Sequence, residues 1–238
     1  MLDRLLPPAC AGCGAATEPG TAPVCGPCRA RMPAVPSPRC PACGMTRLPG
    51  TGGPASCAEC EGWPTALRRA ESAFLHRPPA DSLVRGLKYR GWTALAGWMG
   101  GAMAPAADRI LGGRGDVVLV PVPLPRARLR ERGFNQAERL AAGLAEANGL
   151  AVRDCLERGG GGTLQARLDR RARMRNVQGA FRLRMPAGDP RDVPPAALLV
   201  DDVLTTGATA AACAEVLEAE GIACLGIVTF ARTPPGPE

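Results

Sequence analysis

Aromatic side chains make up only 3% of the 238 residues. Base stacking on aromatic rings is half of the usual grip on a single nucleic-acid strand. Their scarcity excludes a stacking-dominated mode, so any such affinity is expected to be electrostatic and to fall steeply with salt. The chain has a single histidine, His76. It falls in an expected strand, where a core or edge position suits it better than the role of general base. Lys88 is the only lysine, so the formal charge of +7 is carried almost wholly by arginine. That excess favours polyanionic partners, either phosphorylated metabolites or nucleic acid. No apolar run is long enough to span a bilayer. The opening MLDRLLPPACAGC has neither a basic n-region nor a long apolar core. The expectation is a soluble, cytoplasmic protein without membrane insertion.

Cysteine, by contrast, is abundant. Of eleven, eight fall in four C-x-x-C pairs: Cys10/Cys13, Cys25/Cys28, Cys40/Cys43 and Cys57/Cys60. Two thiolates two residues apart can grip one tetrahedral Zn²⁺ from a tight turn, and a second such turn completes the shell. Disulfides are disfavoured in the expected compartment. The simplest pairing is sequential, giving two structural zinc ions, with an interleaved arrangement also compatible with the spacing. Residues 1–62 hold these pairs and have few large apolar residues, so metal is expected to supply the module's stability. With four thiolates on each ion, no open position remains for catalysis. Cys155, Cys213 and Cys224 are scattered and read as core residues.

From residue 63 onward strands and helices alternate, which predicts a parallel sheet flanked by helices. Strands are expected at 70–76, 116–122, 198–202 and 223–230, and helices at 81–89, 95–110, 135–148 and 207–220. The stretch 158–184 is polar and dense in arginine. Within it Thr163–Phe181, flanked by Gly159–Gly162, reads as a mobile lid over a phosphate ligand. The tail from Thr233 is rich in proline.

The most informative segment is LLVDDVLTTGATA, from Leu198 to Ala210. An apolar strand meets two adjacent carboxylates, Asp201 and Asp202. A turn of small residues follows, Thr205, Thr206, Gly207, Ala208 and Thr209, and then a helix. Such a turn can aim several N–H groups and hydroxyls at one anion, helped by the positive end of the helix. Ribose hydroxyls could donate to the neighbouring carboxylates. A second loop, after Val122, carries Arg126, Arg128, Arg130 and Arg132 at the same sheet edge. Together the two loops would hold both ends of a pyrophosphorylated sugar.

The segment Leu198–Ala210 resembles the 5-phosphoribosyl-1-pyrophosphate (PRPP) motif of type I phosphoribosyltransferases. The wider pattern is similar to the ComF family. It comprises the four C-x-x-C pairs, Lys88-Tyr89-Arg90-Gly91, Pro121-Val122-Pro123-Leu124 and Arg132-Gly133-Phe134-Asn135-Gln136. Gln165, Leu168, Arg173, Asn176, Phe181 and the final motif complete it. ComF proteins are competence-associated and phosphoribosyltransferase-like, with an N-terminal double zinc ribbon.

The resemblance implies an α/β fold with a type I phosphoribosyltransferase-like parallel sheet flanked by helices. It implies a double zinc ribbon at 1–62 and the phosphoribosyltransferase-like domain at 63–238. It also implies a Mg²⁺-assisted site for PRPP or a related ribose phosphate, and a role in handling single-stranded DNA with the competence machinery. Carried over, Asp201 and Asp202 are the candidate catalytic pair on the ribose hydroxyls, with Mg²⁺ on Asp201. Thr205, Thr206, Gly207, Ala208 and Thr209 would hold the 5-phosphate. Arg132 would face the pyrophosphate, and Lys88 would be a nearby anion contact. The base-recognition hood of nucleotide-forming relatives is not evident. The alternative function is an active phosphoribosyltransferase of nucleotide or related metabolism whose acceptor is unknown.

Overall fold

The computed structural model of the chain describes residues 9–18, 20, 22–47, 57–89, 93–159, 179–184 and 194–234. Arg90, Gly91, residues 160–178 with most of the expected lid, and the tail from 235 lie outside the described residues. A short helix α1 (Gly26–Ala30) sits in the cysteine module. It is followed by β1 (Ala70–Leu75), α2 (Ala80–Tyr89), α3 (Thr93–Leu111), β2 (Val117–Pro121), α4 (Arg126–Arg132) and α5 (Gln136–Asn148). The chain continues with β3 (Leu156–Arg158), β4 (Phe181–Leu183), β5 (Ala196–Leu204), α6 (Ala208–Ala219) and β6 (Ala223–Arg232).

The four-stranded sheet has the order β1-β6-β5-β2, and every pairing in it is parallel. This is the α/β sheet flanked by helices that the alternation predicts. Strands buried on both faces read as unbroken apolar runs. Ala196, Ala197, Leu198, Leu199 and Val200 of the central β5 are indeed all fully buried. One face carries α2, α3 and α5, and the other carries α6 and the β3–β4 ladder. Helices α3 and α5 approach so closely that a Cβ on Gly100 would lie 2.5 Å from the Leu140 carbonyl oxygen. Only glycine fits there.

Two elements differ from expectation. The arginine loop after Val122 is partly helical. Pro125 sits at the N-cap of α4, an Arg128–Glu131 pair at 2.7 Å braces it, and Gly133 ends it in the left-handed region at φ 76°. The motif strand also does not stop at Asp202. It continues to Leu204 because β6 stays paired with it, Val203 with Ala231 and Leu204 with Arg232. The acidic pair therefore lies within a strand, where neighbouring side chains leave opposite faces.

The cysteine module covers the open edge of the sheet. Ala34 bridges Phe74, the Leu75 N–H donates to the Pro33 carbonyl, and the Ala70 N–H donates to the Ala42 carbonyl at 2.7 Å. Covering an edge in this way blocks pairing with other chains. Beneath it the buried carboxylate Glu71 is held by Arg109 at 3.0 Å, and more loosely by Arg39 and Arg69 at 3.5 and 3.7 Å. Buried Arg232 at the end of β6 donates to the Cys43 carbonyl.

Candidate functional site

The site forms where β5 leaves the sheet. Thr205 and Thr206 make the turn, and Gly207 caps α6 with φ 81°, a left-handed conformation that L side chains rarely adopt. The Ala208 N–H leans on Thr206 Oγ1 at 3.4 Å. The first N–H groups of α6 have no partner within the helix. The first residues of the helix, with Gly207, line a small hollow that Asp201 and Thr205 share. A helix start of this kind favours an anion.

Strand alternation separates the two carboxylates. Asp201 lies on the α6 side and accepts a hydrogen bond from the Asp202 N–H at 2.8 Å. Burial, and then the charge of Asp202, push its carboxyl up to about 7; Lys88 and Arg132 partly oppose the rise. Asp202 lies on the other side, 4% exposed, with Lys88 Nζ 2.9 Å from its Oδ2. The sole lysine of the chain thus balances the more buried member of the pair. It reaches there because α2 buries Leu83, Val84 and Leu87 and so turns its last residues toward the strand end. Nearby His76 is pushed below the ordinary imidazole range, by burial first and then by the charge of Lys88. Its position at the end of β1 agrees with an edge role.

Arg132 reaches the same corner from α4. Its Nη1 donates to Gln136 Oε1 at 2.9 Å, and its guanidinium lies 5.3 Å over the Tyr89 ring, beside Lys88. The order Arg-Gly-Phe-Asn-Gln has a local explanation. Gly133 turns the chain. Asn135 Oδ1 caps α5 by accepting from the Ala137 N–H at 3.1 Å, and Asn135 Nδ2 ties the cap to the Val122 carbonyl. Gln136, 4% exposed, then orients Arg132.

The expected ligand-site residues thus belong to one sheet edge: Asp202 paired with Lys88 on one side of β5, Asp201 with the Thr205–Thr209 turn on the other, and Arg132 against Tyr89. Sequence reading names Tyr89, Asn135 and Gln136 only as parts of a pattern and gives them no role. It misses Trp63 as a neighbour of the turn. The signal for Trp63 is its place three residues after Cys60.

The eight paired cysteines form two groups, Cys10/Cys13/Cys25/Cys28 and Cys40/Cys43/Cys57/Cys60, with all ligand atoms of each group within 4.8 Å of one another. Pairing is therefore sequential. Sγ–Sγ distances of 3.8 Å (Cys13–Cys25, Cys40–Cys60, Cys57–Cys60) and 3.5 Å (Cys43–Cys57) match the edges of a tetrahedron. With Zn–S bonds of about 2.3 Å such edges are about 3.8 Å.

The thiols also need a cation. Burial, neighbouring thiols and the charge of Cys10 push Cys28 up to about 12. Burial also opposes ionisation of Cys10, but N–H groups of Cys25, Cys13 and Gly12 outweigh it and hold that thiol near 6. Four thiolates together require a divalent ion. These donor sets fit structural zinc.

Residues 1–61 match the double zinc ribbon domain family. The chain is 32% identical over 198 residues to the DNA utilization protein YhgH of Salmonella typhimurium, covering 82% of this chain and 84% of that protein. It is 30% identical over 198 residues to YhgH of Escherichia coli K12, with the same coverage. Over 124 residues, half of each chain, it is 29% identical to the competence protein ComFC of Bacillus subtilis. The parallel sheet flanked by helices and the two four-cysteine groups define an α/β protein carrying an N-terminal double zinc ribbon. The chain belongs to the ComF family. No helix among the described residues is long and apolar enough to cross a membrane.

Proposed function

We propose that this protein binds PRPP or a closely related ribose phosphate with Mg²⁺ at the β5–α6 turn, and serves the uptake or handling of single-stranded DNA. The competence-related half is supported by the names of its relatives, DNA utilization protein and competence protein. The observation that carries the ligand is the hollow that Asp201 shares with the residues at the start of α6. Carboxylate beside anion cradle is the pairing a ribose 5-phosphate needs, with hydroxyls on one side and phosphate on the other.

In this reading the turn from Thr205 to Thr209 receives the 5-phosphate, and Asp201 accepts from a ribose hydroxyl. Lys88 holds Asp202 in place, and Arg132, oriented by Gln136 and Tyr89, faces the pyrophosphate. Asp201 also fits a Mg²⁺ ion, which needs only one or two protein carboxylates when phosphate oxygens supply the rest. When bound, the ion would neutralise pyrophosphate charge. The zinc groups are structural, and residues 1–62 and 63–238 are proposed as the two domains. The charge of +7 supports contact with the phosphates of a DNA strand.

A ligand that binds only the native state stabilises it by about 2.7 kcal/mol at roughly a hundredfold excess over Kd. PRPP with Mg²⁺ is therefore expected to raise the melting temperature by several degrees. Ribose with Mg²⁺, which lacks both phosphate groups, is expected to leave it unchanged. No rise with millimolar PRPP would remove the proposal.

A further inference from the structure

We propose that the second zinc ribbon is a working part of the anion site, with Trp63 as the positioning residue that fixes the backbone of the turn. The anion-binding half of this inference rests on the ribose-phosphate reading above; the mechanical half does not.

Trp63 is the last piece of the second metal knuckle. Its backbone N–H donates to the Cys60 carbonyl at 3.1 Å, and its side chain packs against the Cys40/Cys43/Cys60 cluster on one side and the α6 cluster on the other. Its indole Nε1–H donates to the Thr206 carbonyl at 3.0 Å, across 143 positions of sequence. The ring fills the place of a missing side chain. A Cβ on Gly207 would lie 2.6 Å from Trp63 Cζ2 and 2.9 Å from its Nε1.

These contacts fix the orientation of one peptide unit. A trans peptide is planar, with its C=O and N–H pointing opposite ways. Holding the Thr206 carbonyl against the indole therefore turns the Gly207 N–H away from it, on the opposite side of the peptide. Gly207 in its left-handed conformation then starts α6, whose first residues line the hollow. Without the indole, the Thr206–Gly207 peptide loses this restraint and can flip, since a glycine tolerates both conformations. The first ribbon offers no such link among the described residues. Its Gly12 packs on Cys28 and Pro79, at the approach to α2.

The test is Trp63→Phe, which keeps a ring and removes the donor, read in two ways with both zinc ions present. The first is amide hydrogen exchange of the ligand-free protein over residues 205–211. The second is calorimetric binding of PRPP with Mg²⁺. A lost neutral hydrogen bond corresponds to roughly fivefold to tenfold. Exchange at 205–211 is expected to accelerate by about that factor while α5 is unchanged, and the Kd for PRPP to rise by a similar factor.

Unchanged exchange overturns the inference, whether or not PRPP binds. Faster exchange with PRPP binding equally to both proteins overturns the claim that Trp63 serves the anion site. Faster exchange with no PRPP binding to either protein leaves the coupling standing and refutes the ribose-phosphate reading instead. Should Trp63→Phe fail to retain zinc, the native protein supplies the second measurement. Its Trp63 indole N–H is expected to exchange in step with the amide of Ala211, which donates to the Gly207 carbonyl at 2.8 Å. An indole that exchanges at once while that amide stays protected would overturn the coupling.

Discussion

Replacing Lys88 by methionine is expected to cost about 3 kcal/mol of stability, at the lower end of the range for breaking a buried ion pair. The side chain of Lys88 is 20% exposed and that of Asp202 5%, so the lysine keeps some contact with water while the carboxylate does not. Methionine has nearly the right length and apolar stem, so packing is largely kept. What is lost is the cation 2.9 Å from a buried charge. Denaturant unfolding measures the effect as a lower midpoint at constant slope. Adding Asp202→Asn to the variant removes the orphaned charge and is expected to recover most of the loss. A change within about 0.5 kcal/mol, the usual range for surface substitutions, would show that the pair contributes nothing.

The second large effect is in the pH dependence of stability. Asp201 has its carboxyl raised from the ordinary 3.8 to about 7 in the folded protein, by burial and by the charge of Asp202. Between these values the folded state holds a proton that the unfolded state has released. Stability therefore falls as pH rises from about 4 to about 7 and is level above that, as far as this group is concerned. Asp201→Asn abolishes the fall. In Mg²⁺-free buffer the variant is expected to match the native protein near pH 4 and to exceed its stability at pH 7.5. Parallel curves for the two proteins would mean that Asp201 ionises freely. The sign is that of a functional site, where a group kept for binding makes the empty protein less stable.

These effects could not be read from the sequence in equal measure. The four-cysteine groups, the parallel sheet and the turn at Thr205–Thr209 were legible because each is set by short-range spacing. Cysteines separated by two residues share a turn, and small residues after an apolar run leave N–H groups free. The separation of Asp201 from Asp202 was not legible. It depends on how far β6 continues beside β5, which the apolar run alone does not state.

The Lys88–Asp202 contact follows from the orientation of α2 on the sheet, and the Trp63–Thr206 bond from the docking of a metal knuckle. Both join residues more than a hundred positions apart. The arginine loop misled for another reason. Its alternating arginines look solvated and irregular, yet arginine is a good helix former, and Pro125 and Gly133 bound the single short helix that results.

The central claim is what the β5–α6 turn holds. Calorimetry of the zinc-loaded protein with PRPP in Mg²⁺, set against the variant Asp201→Asn/Asp202→Asn, addresses it directly. The charge-assisted hydrogen bond that Asp201 would accept, at about 1.5–3 kcal/mol, translates into at least about tenfold in affinity. The native protein is expected to give a saturable isotherm and the variant a Kd weaker by that factor or more. Equal binding by the two proteins, or none by the native one, would contradict the assignment of the site.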